Sequence, residues 1–173
     1  MDPENTIEAG EALKTLEGNI STVMSAYDVL QSYMYYGRTA MCVPELLADN
    51  AKIATSNSNR YVSEYQNVAG SHVNNWQVSW RIIGNVNYIL KYIDDVEVIA
   101  SDAEFEDKRS RTKGECRFFR GWQTFELLRT YSREPGHTVL GFELGVPIVR
   151  DAFEYKNNLS DLHVSRATVA EGY

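Results

Sequence analysis

Three long stretches of this chain carry apolar residues at helical spacing, and this pattern limits the fold more than any other feature. In residues 7–36 apolar side chains recur every three or four positions without an intervening proline. Residues 73–99 carry two apolar stripes, which predicts contact with more than one neighbouring helix. A third stretch begins near residue 103 and ends before Pro135. The sequence therefore predicts an all-α fold in which helical hairpins stack into an array.

The segments between and after these helices are predicted to be less regular. Pro44 is expected to open a second, shorter helix, and the polar residues 54–71 are typical of an exposed loop. Glycines and a proline interrupt the region near 134–165, which predicts a long irregular loop region. Ser165 is expected to cap a final helix through its side-chain oxygen. Because that helix has hardly begun at Tyr173, we expect residues 1–173 to be the amino-terminal part of a larger domain.

Charge and cysteine content exclude several classes of protein. The formal net charge is −7 and the basic residues are scattered, so nucleic acid is not an expected partner. Cys42 and Cys116 lie far apart without metal-binding spacing, and we expect two buried thiols. No apolar run is long enough to span a bilayer. If the protein is exported, its signal sequence is expected to be missing from this sequence.

Motifs for catalysis are missing from the sequence. It contains no glycine-rich phosphate loop and no GxSxG turn. Glu45 and Asp49 would share one helical face, but no nucleophile accompanies them, which favours a solvated or capping role. His72, His137 and His163 lack the spacing of metal ligands. We therefore predict no catalytic residue, no metal site and no cofactor.

Four segments share their order and spacing with the motifs of one known family. They are YDVL at 27–30 with ELLAD at 45–49, WRIIGNVNYIL at 80–90, GECRFFRGW at 114–122, and GVPIV at 145–149 followed by RATVAEGY at 166–173. The third is close to the pattern G-E-A-x-F-L-R-A, and the last is similar to G-V-P-L-V followed by R-x-T-V-x-E-V-Y. Taken together, these segments resemble the SusD/RagB family of outer-membrane nutrient-binding lipoproteins.

The chain departs from the family pattern at several positions. Cys116 replaces the usual alanine, Gly172 replaces an apolar residue, and Gly84 stands where an aromatic residue is common. The lipid-attachment cysteine near the amino terminus is also missing from the sequence. Membrane anchoring is therefore implied by the resemblance alone.

The resemblance implies a non-catalytic receptor with a tetratricopeptide-like helical scaffold. Members of the family are lipoproteins on the surface of the outer membrane, held there by an amino-terminal lipid anchor. They bind oligosaccharides or other nutrients and deliver them to a TonB-dependent, SusC-like transporter. Much of their ligand surface comes from a carboxy-terminal portion that the resemblance places beyond residue 173. The alternative is a soluble helical-repeat module that binds peptide segments in a groove.

Aromatic and amide side chains near the polar loop are candidates for ligand binding. An exposed indole face can stack against a sugar ring, and amides can hydrogen-bond to hydroxyl groups. The candidates are Trp76, Tyr61, Tyr65, Asn67 and Asn74.

A second group of residues is expected to have structural roles. Trp80 matches a structural position of the family, and the Asn87 amide should tie its helix to a neighbouring backbone. Charged residues in such an array usually fix helix packing. The structural candidates are Trp80, Asn87, Glu115, Arg117, Phe118, Arg120 and Arg129.

Overall fold

The computed structural model of the protein describes residues 9–70, 72–152 and 164–173. Within these ranges the chain forms seven helices and two short strands. In chain order they are α1 (Ala9–Ala12), α2 (Leu16–Leu30), α3 (Thr39–Leu47), α4 (Val62–Tyr65), α5 (Trp76–Tyr92), α6 (Phe105–Tyr131), β1 (Leu144–Pro147), β2 (Arg166–Thr168) and α7 (Val169–Gly172). The expected all-α fold class is confirmed.

The main core lies where α2, α5 and α6 pack against one another. Helix α5 contributes Ile82, Val86 and Ile89, which are fully buried and recur at helical spacing. From α6 comes Phe119, whose ring meets that of Tyr27 on α2 edge to face, with 4.7 Å between centroids. Burying an apolar side chain of this size stabilises a fold by about 1.5–3 kcal/mol. The periodic apolar stripes of the sequence therefore form the interior.

The first helix is shorter than predicted and is broken. Instead of one helix over 7–36, α1 ends at Ala12 and α2 begins at Leu16. Thr15 caps α2, since its backbone is extended and its side chain accepts a hydrogen bond of 3.1 Å from the Gly18 N–H. A Cβ at Gly18 would lie 1.8 Å from the Ala12 carbonyl oxygen. The absence of a side chain at this position lets the two helices meet so closely.

The region of α3 and α4 also differs from the prediction. Pro44 lies inside α3 rather than at its start. The predicted loop at 54–71 contains α4, which follows Tyr61 in the left-handed conformation with φ of 57°. Cys42 is exposed on α3, so the expectation of two buried thiols is wrong for it. Val43 and Leu46 are the α3 residues that reach the interior, which leaves Cys42 on the outer face.

The two long helices occur in the predicted order, but both are shorter than the apolar patterns suggested. α5 covers Trp76–Tyr92 of the expected 73–99, and α6 begins at Phe105. Beyond the end of α5, Lys113 on α6 lies 2.7 Å from the Asp94 carboxylate. Among the described helices, α5 and α6 share the most extensive contact, and together they form a hairpin.

A small sheet lies against the carboxyl-terminal half of α6. β1 lies in the region predicted to be irregular, whereas β2 occupies residues predicted to begin the final helix. β1 and β2 pair antiparallel, with Leu144 opposite Thr168 and Pro147 opposite Arg166. Thr168, not Ser165, caps α7, and its backbone N–H donates to the Glu171 carboxylate over 2.8 Å in a capping box. Residues 153–163 of the predicted loop lie outside the described residues.

Glycines allow the sheet and α7 to approach α6. A Cβ at Gly172 would lie 2.7 Å from the Leu128 side chain, and one at Gly145 would lie 2.9 Å from it. Both distances are too short for real side chains. The departure from the family pattern at Gly172 therefore matches the close packing of α7 on Leu128.

Candidate functional site

A polar cleft opens between α3, the segment that precedes α5, and the carboxyl-terminal half of α6. Its volume is about 380 Å³. It is lined by Tyr35, Ala40, Pro44, Gly70, His72, Val73, Asn75, Glu126, Arg129, Thr130 and Tyr131. The lining combines hydroxyl, amide and charged groups with two aromatic rings, which is the mixture found in sites for polar small molecules.

One wall of the polar cleft carries a charged pair. The Glu126 side chain is buried, and the half-exposed Arg129 donates to its Oε2 from Nη2 over 2.6 Å and from Nε over 3.2 Å. The two residues stand three apart on α6, a spacing that brings side chains together on a helix. This hydrogen bonding raises the pKa of Arg129. The wall therefore offers a fixed guanidinium beside a buried carboxylate.

Buried polar side chains lie beneath the polar cleft. The Tyr35 hydroxyl donates to Gln123 Oε1 over 2.9 Å, and both side chains are inaccessible to solvent. Burial raises the pKa of Tyr35 to about 12, although the side chains of Ser79 and Asn75 act in the opposite direction. Tyr35 thus stays protonated at neutral pH, and its hydroxyl marks the point where these groups meet.

Trp76 stands at the rim of the polar cleft. Its backbone N–H donates to the Tyr131 hydroxyl over 3.2 Å. Its indole ring packs nearly at right angles to Tyr131 and Trp80, with centroids 5.1 Å and 5.6 Å away. The residue nevertheless remains 40% exposed. Two aromatic neighbours therefore hold an open indole face beside polar groups.

His72 links the polar cleft to α4. Its Nδ1 atom lies 3.6 Å from Glu64 Oε1, and both side chains are largely buried. Burial alone would raise the pKa of Glu64, but hydrogen bonds from Ser63, its own backbone and His72 lower it overall. This contact holds the segment before α5 against α4.

Comparison with known proteins gives the family of the chain. Residues 6–173 match the model of a SusD-like family, described as starch-binding and associating with the outer membrane. The chain belongs to this SusD-like family. A search of curated proteins gave no match.

One solved structure resembles this SusD-like chain over most of its length. It is the crystal structure of a protein from Bacteroides vulgatus ATCC 8482, provisionally described as sugar-binding. The two share 26% sequence identity with a TM-score of 0.64, over 91% of this chain. The match covers 34% of the neighbour, so the SusD-like chain spans about a third of that protein.

The five predicted ligand residues of the SusD-like chain do not come together in one pocket. None of them is among the residues that line the polar cleft. Trp76 stands at its rim, and Asn74 is exposed beside the buried Asn75. Tyr61 lies in a separate apolar groove of about 480 Å³, while Asn67 adopts a left-handed φ of 52° after α4. Tyr65 is half-buried on α4. Their role in binding stays a prediction.

Two of the predicted structural residues tie three segments together. Arg120 on α6 donates to the Asn87 Oδ1 over 3.1 Å and to the Arg150 carbonyl over 2.7 Å. Asn87 on α5 donates in turn to the carbonyls of Val149 and Asp151, over 3.2 Å and 3.1 Å. These bonds join α5 and α6 to the chain that follows β1.

The other predicted structural residues have varied surroundings. Trp80 is half-buried against the cluster formed by α5, α6 and β1, whereas Phe118 is 65% exposed. Glu115 lies beside Tyr27, where burial and this carboxylate together raise the pKa of the phenol. Arg117 is exposed, and Arg129 belongs to the polar cleft. Their structural roles stay predictions.

Several residues in and beneath the polar cleft were not predicted from the sequence. Gln123 and Glu126 continue the buried stripe of Cys116 and Phe119 at three- and four-residue steps. Polar residues inside an apolar stripe were the available signal. Asn75 gave no such signal. Its Nδ2 donates to the Thr130 hydroxyl over 3.5 Å, and the two residues lie 55 positions apart in the sequence.

Among the described helices, none has both the length and the apolar character needed to cross a bilayer. In the same parts of the chain, no three His, Cys, Asp or Glu side chains are grouped as metal ligands would be.

Proposed function

We propose that this SusD-like protein captures oligosaccharides or other nutrients at the cell surface and delivers them, without chemical change, to a TonB-dependent, SusC-like transporter. The family's description as starch-binding supports a glycan ligand, and so does the sugar-binding description of the structural neighbour. The family's association with the outer membrane supports the location. An amino-terminal lipid anchor is the proposed attachment.

The observation that carries this proposal is the exposed, immobilised indole of Trp76 beside the polar cleft. A sugar ring has apolar C–H faces that pack on an aromatic ring and hydroxyls that need hydrogen-bond partners. Trp76 and Tyr131 supply aromatic surface, while Asn75, Glu126 and Arg129 supply polar partners. Because its two aromatic neighbours hold Trp76 in place, little side-chain freedom is lost on binding.

The binding test is isothermal titration calorimetry of the full-length protein with maltoheptaose, cellohexaose and xylohexaose. We expect at least one of them to bind. Trp76→Ala should weaken that binding about tenfold, or ~1.4 kcal/mol, because the stacking surface is lost. The matched control is Phe118→Ala, which removes an aromatic ring that is 65% exposed on another face of α6. Equal affinities of wild type and Trp76→Ala would exclude Trp76, and no binding by wild type would contradict the glycan proposal.

Delivery to a transporter requires a separate test. We expect the full-length protein to co-purify with a SusC-like transporter from outer membranes solubilised in mild detergent. Recovery of the protein without any such transporter, from cells that express both, would contradict the proposed partner.

The alternative function is a helical-repeat module that binds peptide segments. The outward-facing Phe118 and Phe125 on α6, 65% and 45% exposed, are the observation that favours it. This alternative predicts that Phe118→Ala abolishes binding of a protein partner and that no oligosaccharide binds. The calorimetric comparison of Trp76→Ala with Phe118→Ala therefore separates the two functions.

A further inference from the structure

A second opening lies between the middle of α6, the segment that follows β1, and α7. We call it the basic groove. Its volume is about 420 Å³, and it shares no lining residue with the polar cleft. One wall consists of residues on a single face of α6, because they recur at three- and four-residue steps. They are Arg117, Arg120, Gly121, Thr124 and Phe125. The remaining lining comes from residues 148–150 and 171–173.

Positive charge is concentrated in the basic groove, although the formal net charge of the protein is −7. The described residues that line it include three arginines, which are Arg117, Arg120 and Arg150. They include one carboxylate, that of Glu171, whose Oε2 accepts from the Thr168 hydroxyl over 2.7 Å and from the Thr168 backbone N–H over 2.8 Å. These hydrogen bonds lower the pKa of Glu171. The carboxylate is therefore engaged in capping α7, and the arginines outnumber it.

The arginines of the basic groove keep hydrogen-bond donors available. Arg120 is held in place by two hydrogen bonds from Nη1, while its Nε and Nη2 donate to no described residue. Within the described ranges, the arginines that form ion pairs are Arg109 and Arg129, and neither lines the groove. Arg117 and Arg150 are exposed. A guanidinium presents its donors in a planar fork that matches the oxygens of a carboxylate or a sulfate group.

Aromatic surface lies beside these donors. The rings of Phe125 and Tyr173 meet edge to face, with 5.8 Å between centroids, and the residues are 45% and 50% exposed. Between Arg117 and Phe125 on the helix, Gly121 leaves open space, since a Cβ there would meet no atom within 4 Å. A sugar ring can pack its C–H face on an aromatic ring while a charged substituent reaches a neighbouring donor. The basic groove therefore combines the two kinds of contact that an acidic sugar needs.

We propose that the basic groove is a second binding site, which takes an acidic sugar. The carboxylate or sulfate group of the sugar accepts hydrogen bonds from Arg117 and Arg120, and its ring packs on Phe125. The site goes beyond the proposed function, because it selects a negative charge and does not involve Trp76. The basic groove and the polar cleft can therefore be tested separately.

The first test is calorimetry of the full-length protein with two acidic sugars. Trigalacturonic acid carries carboxylates, and a κ-carrageenan tetrasaccharide carries sulfate without carboxylate. We expect at least one of them to bind. If trigalacturonic acid binds, its neutral methyl ester should bind at least about tenfold more weakly, because the ester keeps the rings but loses the charge. Raising the NaCl concentration from about 50 to 500 mM should weaken binding of the acidic sugar, since salt screens exposed charges.

A charge variant locates the bound sugar. Arg117→Gln removes an exposed guanidinium from the basic groove and should weaken binding of the acidic sugar about tenfold. The matched control is Arg111→Gln, which changes the net charge equally at an exposed position of α6 outside the groove. The control should change the affinity less than about twofold, because long-range charge effects are screened.

A second variant fills the basic groove without changing any charge. Gly121→Leu places a side chain in the open space on α6 and should abolish binding of the acidic sugar. Leucine favours a helix more than glycine does, so the urea midpoint of the full-length protein should not fall. Gly114→Leu is the matched control, because a Cβ at Gly114 also meets no atom within 4 Å and Gly114 does not line the groove. It should leave binding unchanged.

Each outcome supports or overturns the inference. If neither acidic sugar binds wild type, the inference is wrong, while binding of a neutral oligosaccharide would still support the proposed function. If Arg117→Gln and Arg111→Gln weaken binding equally, the sugar responds only to overall charge and the inference is wrong. If Gly121→Leu lowers the urea midpoint but Gly114→Leu does not, another part of the full-length protein fills the groove. If Trp76→Ala abolishes binding of the acidic sugar and Arg117→Gln does not, the sugar occupies the polar cleft instead.

Discussion

Two parts of the buried face of α6 differ in chemistry. Up to Phe119, the buried Cys116 and Phe119 are at most 1% exposed and pack into the main core. After Phe119, the polar Gln123 and Glu126 are at most 4% exposed and lie next to the buried, apolar Leu127 and Leu128. The first part gains free energy from apolar burial, whereas the second also desolvates polar groups, of which Gln123 Nε2 has no hydrogen-bond partner in the protein.

This difference suggests different roles for the two parts of α6: the first mainly stabilises the fold, and the second also contributes to binding. A buried polar atom without a partner, such as Gln123 Nε2, costs free energy that an apolar side chain at the same place would not. A destabilising polar cluster beside a cleft is typical of a functional site. We therefore expect substitutions up to Phe119 to lower the free energy of unfolding most, and those near the cleft to lower it less and to act on binding as well.

The largest expected effect is that of Phe119→Ala, in the part of α6 that packs into the main core. Phe119 is 1% exposed and its ring contacts Tyr27. Removing a buried phenyl ring should lower the free energy of unfolding by about 3–5 kcal/mol. Urea denaturation measures this change. Its neighbour Phe118, which is 65% exposed, is the control and should lose less than about 1 kcal/mol as alanine.

Alkaline pH should destabilise the protein through two buried groups that ionise, Cys116 in the main core and Tyr35 at the polar cleft. Burial raises the pKa of Cys116 from 9.0 to about 12 and that of Tyr35 from 10.0 to about 12. Folding favours the neutral form of both groups, so their stabilisation is complete at neutral pH. It is lost as pH rises from about 9 to 12 for Cys116, by roughly 4 kcal/mol, and from about 10 to 12 for Tyr35, by roughly 3 kcal/mol.

Urea midpoints measured from pH 8 to pH 12 check this expectation. Cys116→Ala and Tyr35→Phe should each flatten the decline, and Cys116→Ala should act from the lower pH. Equal declines in wild type and both variants would show that these groups are not the cause.

A smaller effect is expected for the charged pair of the polar cleft. Glu126→Ala leaves Arg129 without its partner, but Arg129 is 47% exposed and can be solvated. The free energy of unfolding should therefore fall by about 1–2 kcal/mol, less than for a fully buried pair. Glu106→Ala is the matched control, because the Glu106–Arg109 pair has the same spacing and a 62% exposed carboxylate. A loss there as large as that of Glu126→Ala would remove the distinction between the two pairs.

The sequence predicted the helices better than the site. Local periodicity located α5 and α6, since most of their buried residues lie on regular stripes. It missed the break before Leu16, which depends on the steric contact between Gly18 and Ala12. It also missed the exposure of Cys42, because spacing alone does not show which face of α3 is covered.

The polar cleft was harder to predict because its residues are distant in sequence. Tyr35 meets Gln123 across 88 positions, and the Trp76 backbone meets Tyr131 across 55. Trp76 and Asn74 were selected as ligand candidates near the polar loop, whereas the neighbouring Asn75, which lines the polar cleft, was not selected. Neighbouring asparagines differ only in orientation, which is determined by how α5 packs against α6.

The most direct test of this account is a crystal structure of the full-length protein with its tightest-binding oligosaccharide. We predict a sugar ring stacked on Trp76, with its hydroxyls within hydrogen-bond distance of polar side chains that line the polar cleft. An oligosaccharide bound on another surface, with the polar cleft empty of sugar, would contradict it.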